Sequence, residues 1–319
     1  MLTPSILAHL RQGDRRIVVT GASGWVGLAT LECLLDALGS EAFARQVVCF
    51  GSVARTLALR GGKSVEQRPL AEIASLPAQP SWLLHFAFLT KDRAIDMDEA
   101  AYRAANDAIS HRVLGALDAI GVDGVFLASS GAAYRADDAA AAPEMRLYGA
   151  MKREDEDRFA AWAERSAKTL VIARIFNVTG PYINKHQAYA FASFLLDALA
   201  GRTIEVRAPR AVVRAYVPIR EIIALGLSLL ASAQPGMVIR FDSGGTPMEL
   251  AEVAQAIAAA LPGAGVHRAA IGIAQADIYH GDVDAYANLL SAHGIPSTPI
   301  SEQILDTMTY LKTLAEDAA

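Results

Sequence analysis

Arg16-Ile17-Val18-Val19-Thr20-Gly21-Ala22-Ser23-Gly24-Trp25-Val26-Gly27 sets a short β-branched run directly against three glycines spaced G-x-x-G-x-x-G. Ile17 to Val19 reads as a buried strand. Leu28 to Leu38 then runs apolar at helical spacing. A strand, a glycine-rich turn and a helix in that order make a phosphate cradle. The glycines let the backbone approach a pyrophosphate, and the free N–H groups at the helix start turn their partial positive charge toward it. Gly27 has a second use, because a missing side chain lets helix and strand pack closely. An ordinary βα turn is the competing reading of a glycine triplet, and the flanking strand and helix favour the cradle.

The bulk of the chain fits that reading. Its 319 residues accommodate one large α/β domain, or one domain with a smaller lobe. Hydrophobic residues make up 53%, enough for a sizeable core, yet no apolar run approaches the ~20 residues of a membrane-spanning helix. Met1 to Arg11 is too short and too poorly organised for a secretory signal. Its apolar positions Leu2, Ile6, Leu7 and Leu10 predict a short amphipathic helix lying on the first domain. The net charge of −5, with no basic block, argues against nucleic acid as the main partner. Cys33 falls in the first helix and Cys49 in the second strand, so both read as small core residues. They make neither a disulfide framework nor a zinc site, and no metal site is expected. The chain is expected to be cytoplasmic.

Further along, Gln46 to Phe50 predicts a second strand. The residue after such a strand meets the adenosine ribose in dinucleotide-binding sheets, where NAD binders usually carry an acid. Here the run is Phe50-Gly51-Ser52-Val53-Ala54-Arg55. Ser52 and Arg55 suit a 2′-phosphate, with arginine in a bidentate pair, which tilts the expectation toward NADP. A merely solvated arginine is the alternative. Lys63 to Gln67 predicts a third strand and Trp82 to Ala87 a fourth, leading into Phe88-Leu89-Thr90 at the carboxyl edge of the sheet. His85 reads as a hydrogen-bonded core histidine. A helix is expected from Asp98 to Ile120, then a fifth strand from Gly124 to Ala128 that ends in Ser129-Ser130-Gly131. Serines at that edge suit a hydroxyl that contacts substrate. After a surface loop at Asp137 to Pro143, Tyr148-Gly149-Ala150-Met151-Lys152 opens a helix running to about Ala167. Tyr148 and Lys152 share one face, one turn apart. Alone, such a pair is a solvated helix face; it gains meaning with the glycine turn and the serine strand beside it.

The sixth strand is expected at Thr169 to Phe176, after which the composition shifts. Helices are expected at Ala190 to Ala200, Glu221 to Leu230, Met248 to Leu261 and Ser301 to Leu314, with Ala315 to Ala319 fraying. Strand-like runs fall at Thr203 to Val206, Val212 to Val217 and Met237 to Phe241, the last expected to return to the main sheet. The predicted architecture is α/β: a Rossmann-type doubly wound parallel sheet over residues 1–178, with residues 179–319 mainly a smaller substrate-binding lobe.

With these pieces assembled, the chain resembles the extended short-chain dehydrogenase/reductase family, in its NAD-dependent epimerase/dehydratase branch. Thr20 to Gly27 fits the T-G-x-x-G-x-x-G loop, and His85-Phe86-Ala87-Phe88-Leu89 is similar to the stretch after the fourth strand. Asn106 with Ser110 resembles the helix position whose Asn helps organise the active site. Ser129-Ser130 through Tyr134 resembles S-S-x-x-x-Y, and Tyr148 with Lys152 the catalytic pair. Arg174 to Pro181 is similar to a UDP-galactose 4-epimerase segment whose Asn, here Asn177, contacts the substrate nucleotide.

That resemblance implies roles. Tyr148 is the general acid/base, activated by Lys152, which also hydrogen-bonds the nicotinamide ribose; Ser130 orients the reacting hydroxyl or carbonyl. An unperturbed tyrosine, with a pKa near ~10, is mostly protonated and a poor base, so activation is required. The implied NAD or NADP contacts are Gly21, Ser23, Gly24, Trp25, Val26, Gly27, Ser52, Arg55, Phe86, Ala87, Phe88, Thr90, Asn106, Ser129, Tyr148, Lys152 and Ile175. Ser130, Gly131, Asn177 and Arg214 are implied on the substrate side. Two departures limit the transfer. The acid beside the diphosphate arginine is replaced by Ala215, next to Tyr216, and only Glu221 remains of the later acids. Gly131-Ala132 follows Ser130 where dehydratases carry Asp-Glu, which disfavours elimination of water. The expected function is nucleotide-sugar epimerisation. Reduction of a keto-sugar nucleotide or another carbonyl compound by NADPH is the alternative, and a non-catalytic dinucleotide sensor the third. A homodimer through the helices around 98–120 and 148–167 is implied by the family.

Overall fold

The β-branched run after Arg15 does form a strand, β1 (Arg16–Thr20), and it lies in the middle of an eight-stranded sheet. The computed structural model describes residues 2–90, 97–261 and 263–316. Of the stretch expected to fray, residues 317–319 lie outside the described ones. The described chain divides into two compact units, one of residues 1–175 and 223–241, the other of residues 176–222 and 242–319.

In the first unit α1 (Pro4–Gln12) precedes β1, capped by the Thr3 hydroxyl and burying Leu2, Ile6 and Leu10. The element α2 (Trp25–Gln46) follows the glycine turn, and Gly39 at φ 75° interrupts it one residue past the expected end. Next come β2 (Val47–Gly51), β3 (Arg55–Ala58), β4 (Ser64–Pro69), β5 (Ser81–His85), α3 (Glu99–Leu117) and β6 (Val122–Ser130). The unit continues with α4 (Pro143–Ser166) and β7 (Thr169–Ile175). From β7 the chain passes into β8 (Asn177–Thr179), α5 (Ala190–Leu199), β9 (Ile204–Val206), β10 (Arg210–Pro218), α6 (Ile219–Ser232) and β11 (Val238–Asp242). It ends with β12 (Pro247–Glu249), α7 (Leu250–Ala260), β13 (Val266–Arg268), β14 (Ile273–Tyr279), α8 (Val283–Ala292) and α9 (Ile300–Glu316).

The main sheet has the order β11-β7-β6-β5-β1-β2-β4-β3. Pairings from β7 through β4 are parallel, and β3 runs antiparallel to β4. The chain winds outward from β1 through β2 to β4, then returns to the other side of β1 as β5. That reversal puts the topological switch point between the carboxyl ends of β1 and β5, where ligands of such sheets bind. Val18, Phe50, Leu83, Val125, Leu170 and Ile172 of the sheet pack with Val113 and Leu117 of α3 and with Phe159 and Trp162 of α4 in one core. Burying side chains of this size contributes about 1.5–3 kcal/mol each.

Arg55 begins β3, paired with Gln67, because Thr56-Leu57-Ala58 folds back on Ser64 to Glu66. One expectation needs correction. The helix that carries Tyr148 and Lys152 opens at Pro143 rather than Tyr148: proline at the first helical position has the right φ and no N–H to satisfy.

In the second unit β12-β10-β14 form a sheet, with β8 also pairing β10, and β13 pairs with β9. Strands β8, β12, β13 and β14, and helix α8, are additional to the elements read from the sequence.

Candidate active site

Gly21 adopts φ +71°, and a Cβ there would stand 2.5 Å from the Phe86 carbonyl carbon and 2.6 Å from the Ala87 nitrogen. The first βα turn therefore touches the loop after β5 backbone to backbone. The Phe86 N–H donates to Thr20 O at 3.1 Å, and the Ala22 N–H to Phe50 O at 3.1 Å, which fixes the turn across three strands. A Cβ on Gly27 would lie 2.3 Å from Gly21 O, so the last glycine serves close packing of helix on turn. Gly24 caps α2 without a side-chain hydrogen bond, and the first helical bond is Leu28 N–H to Gly24 O. The N–H groups of Trp25, Val26 and Gly27 precede that bond, and a Cβ on Gly24 would meet only Gly21 O, at 3.3 Å. A helix start without a side-chain cap suits a diphosphate. Ser23, Trp25, Val26, Phe86, Ala87, Phe88 and Thr90 are half-buried around this edge, while Ser52 and Arg55 are exposed at the end of β2 and the start of β3.

Gly21→Ala is expected to cost about 1–3 kcal/mol for the left-handed backbone alone, with the clash added. Urea denaturation reads that loss. An NADH fluorescence titration should show affinity weakened about 10-fold or more. Unchanged affinity in a folded variant would remove the turn from the binding site.

At the end of β6, the Lys152 ammonium donates to Ala128 O at 2.9 Å and lies 3.8 Å over the Phe88 ring. Phe88 meets Tyr148 edge-on, with centroids 5.6 Å apart, so one ring contacts both members of the helical pair. Ser130 Oγ accepts the Ala132 N–H at 3.2 Å and starts the tight turn Gly131–Arg135. On α4, a Cβ on Gly149 would fall 2.0 Å from Ala132 O. The residue beside Tyr148 thus has to be glycine for the helix to lie against the turn that follows Ser130. Gly131 is buried in that turn. Asn106 is buried on α3 and accepts the Leu89 N–H at 2.8 Å, so it anchors the loop after β5.

Beneath these residues lies a set of buried charges. Arg174 on β7 grips Glu156 with Nε 2.9 Å from Oε1 and Nη2 2.7 Å from Oε2. The Ser129 hydroxyl donates to the same carboxylate rather than standing open at the sheet edge. The Tyr134 ring covers the Arg174 guanidinium at 4.5 Å, and the Glu156 carboxylate raises that guanidinium above its ordinary value. The Ser110 hydroxyl donates to Asp155 Oδ1. His85, paired through Nδ1 with Thr20 Oγ1 at 2.6 Å, is the hydrogen-bonded core histidine expected from its surroundings. Burial pushes it down to about 4. Burial also brings Lys152 down to about 8, against the opposing pull of Asp155 and Glu156. Ile175, which pairs with Ser130, is half-buried at the end of β7. Among the described residues no group of three or more His, Cys, Asp or Glu is placed to hold a metal ion.

In the second unit Asn177 is buried and donates its amide to Tyr279 O at 3.1 Å. Arg214 Nη2 meets Asp277 Oδ2 at 2.8 Å, and its Nη1 donates to Asp277 O at 2.9 Å. The acid absent at Ala215 is therefore supplied by β14, whose Tyr279 is the register partner of Arg214. Tyr216 is buried against Phe191, and burial pushes its phenol up to about 12.

Sequence reasoning missed Asp155, Glu156, Phe88 as a ring, and Asp277. The spacing from Lys152, three and four residues along a helix, is the signal that would have found the first two.

The model of the NAD dependent epimerase/dehydratase family matches residues 17–239. No curated protein sequence matches the chain. Among solved structures, an epimerase from Methanothermobacter thermautotrophicus has a TM-score of 0.72 at 19% identity, covering 98% of this chain and 97% of its own. The UDP-N-acetylglucosamine 4-epimerase from Methanobrevibacter ruminantium M1, solved with UDP-N-acetylmuramic acid, gives 0.73 at 17% identity, covering 94% of this chain and 99% of its own. The UDP-glucose 4-epimerase from Thermus thermophilus, solved with NAD, gives 0.66 at 20% identity, covering 93% of this chain and 99% of its own. At these identities the structural likeness speaks for the fold, while the family match spans most of the chain, glycine turn and Tyr-Lys helix included. The chain belongs to the NAD-dependent epimerase/dehydratase family.

Proposed function

We propose that this protein is an NAD(P)-dependent nucleotide-sugar epimerase. The observation that carries the reading is the placement of Tyr148 and Lys152 on one helix face, in contact with one ring from the loop after β5. The dinucleotide would be held by Gly21, Ser23, Gly24, Trp25, Val26 and Gly27 at its diphosphate. When bound, the nicotinamide would supply reversible hydride exchange with a sugar ring carbon, on either face of that carbon. A hydride leaves carbon only as the hydroxyl on that same carbon gives up its proton, and Tyr148 receives that proton. The Lys152 charge favours the phenolate, and Ser130 Oγ holds the reacting oxygen in line. Asn177 and Arg214 are assigned to the nucleotide and diphosphate of the substrate. For Arg214 this means adding a ligand to a guanidinium already oriented by Asp277.

Net reduction with NADPH is the second reading. It is favoured by the exposed Ser52 and Arg55 and by the lack of an acid after β2. Incubation with a panel of UDP- and dTDP-sugars separates the two. Epimerisation is expected to proceed on copurified nucleotide with no net change in nicotinamide absorbance. Stoichiometric loss of added NADPH would establish the reductase instead. The reading also includes a homodimer through the helices α3 and α4 and a cytoplasmic setting, consistent with Cys33 and Cys49 standing outside any disulfide. Among the described residues no helix is long and apolar enough to cross a membrane.

A further inference from the structure

Asp155 and Glu156 follow Lys152 by three and four residues on α4, so all three share a face one turn long. Both carboxylates are buried, at 2% and 1% exposure, and each accepts a serine hydroxyl, from Ser110 and Ser129 respectively. Beyond that they differ. The charge of Glu156 is cancelled by the two-pronged grip of Arg174. Asp155 makes no ion pair among the described residues, and its Oδ2 is buried without a hydrogen-bond partner among them. Lys152, at 6% exposure, has only a carbonyl and an aromatic face as direct partners among the described residues, neither carrying a full charge. A buried cation and a buried anion, each otherwise uncompensated, thus sit one turn apart on the same helix face. Leaving either alone in a low-dielectric interior is strongly unfavourable.

We propose that Asp155 is the counter-ion of Lys152, a positioning residue that keeps the ammonium charged and seated beside Tyr148. The proposal takes from the functional reading only the partnership of Lys152 with Tyr148; the charge balance belongs to the protein without ligand.

The groups around the pair leave this role to Asp155. From β5, His85 is neutral in its buried setting and brings no charge. From β7, Arg174 is committed to Glu156, and Tyr134 of the turn after β6 stacks on that guanidinium. On α3, Arg103 and Asp107 pair with Glu154 and Arg158 of α4, and Tyr102 packs against Met151. Of the two carboxylates that oppose the effect of burial on Lys152, Asp155 has the larger influence.

The test is a pH titration of the Lys152 amine by NMR in protein labelled with ¹⁵N-lysine, with and without NAD, using Lys152→Met to assign the signal. Asp155→Asn is expected to move the Lys152 midpoint down by about 1 pH unit or more. Asp155→Glu should restore it, and Ser110→Ala, which removes the hydrogen bond but not the charge, should move it far less. A midpoint unmoved in Asp155→Asn, or moved equally by Ser110→Ala, would overturn the proposal. Should Asp155→Asn not fold, the unmutated protein decides: the Asp155 ¹³Cγ shift must show an inflection at the Lys152 midpoint, and its absence overturns the assignment. The alkaline limb of kcat is expected to follow the amine midpoint in Asp155→Asn. If the amine moves and the limb does not, the counter-ion stands and the catalytic reading of Lys152 fails.

Discussion

Replacing Tyr148 with phenylalanine is expected to lower kcat by about 10²–10⁴-fold, the usual worth of a positioned acid/base group. The substitution keeps the ring that meets Phe88 edge-on, so the contact at 5.6 Å survives and α4 keeps its seat on the turn after Ser130. NADH affinity, read by fluorescence, should stay within a few-fold, and the unfolding midpoint should barely move. The signature is a loss confined to turnover, because the deleted hydroxyl acts when charge develops rather than when substrate docks. Activity within about three-fold of the unmodified enzyme would remove Tyr148 from the chemistry, and with it the epimerase and the reductase readings together.

The largest loss of stability is expected from Arg174→Met. Glu156 is almost fully buried, and the guanidinium is its only charged partner among the described residues. Without it the carboxylate keeps only the Ser129 hydroxyl. Breaking a buried ion pair from one side typically costs about 3–5 kcal/mol, because the remaining charge stays stranded in the interior. The double variant Glu156→Gln/Arg174→Met should recover much of that loss in urea denaturation, since it leaves no stranded charge. A single-variant cost below about 1 kcal/mol would mean the pair is screened like a surface one. Activity should fall as well, because Ser129 hangs on Glu156 and Ser130 is the next residue.

What could be read from the sequence was what local backbone demands. Gly21 and Gly27 stand where a side chain would strike main-chain atoms, so their spacing carried the turn, the helix and the switch point with it. Tyr148 and Lys152 were legible for the same reason: four residues on a helix is a short-range relation. The hairpin strand β3 was not, since only Leu57 of its four residues is buried and no alternation betrays it. Strand β14 hides likewise behind a largely exposed Ile273-Ala274-Gln275. Asp155 and Glu156 lay inside the run Lys152-Arg153-Glu154-Asp155-Glu156-Asp157-Arg158, which looks like a solvated face until α3, β6 and β7 are packed onto it. Asp277 could not be found near Arg214, because strand register and not chain neighbourhood brings them together.

That last pairing sets an order of events for a chain emerging from the ribosome. The first unit cannot close its sheet until residues 223–241 arrive, by which time 176–222 are already outside and waiting. Arg214 meets its acid only after β14 is made, 63 positions later. The proposed diphosphate site is therefore assembled among the last parts of the molecule, and a nascent protein already folded around its glycine turn would still lack the Arg214–Asp277 pair.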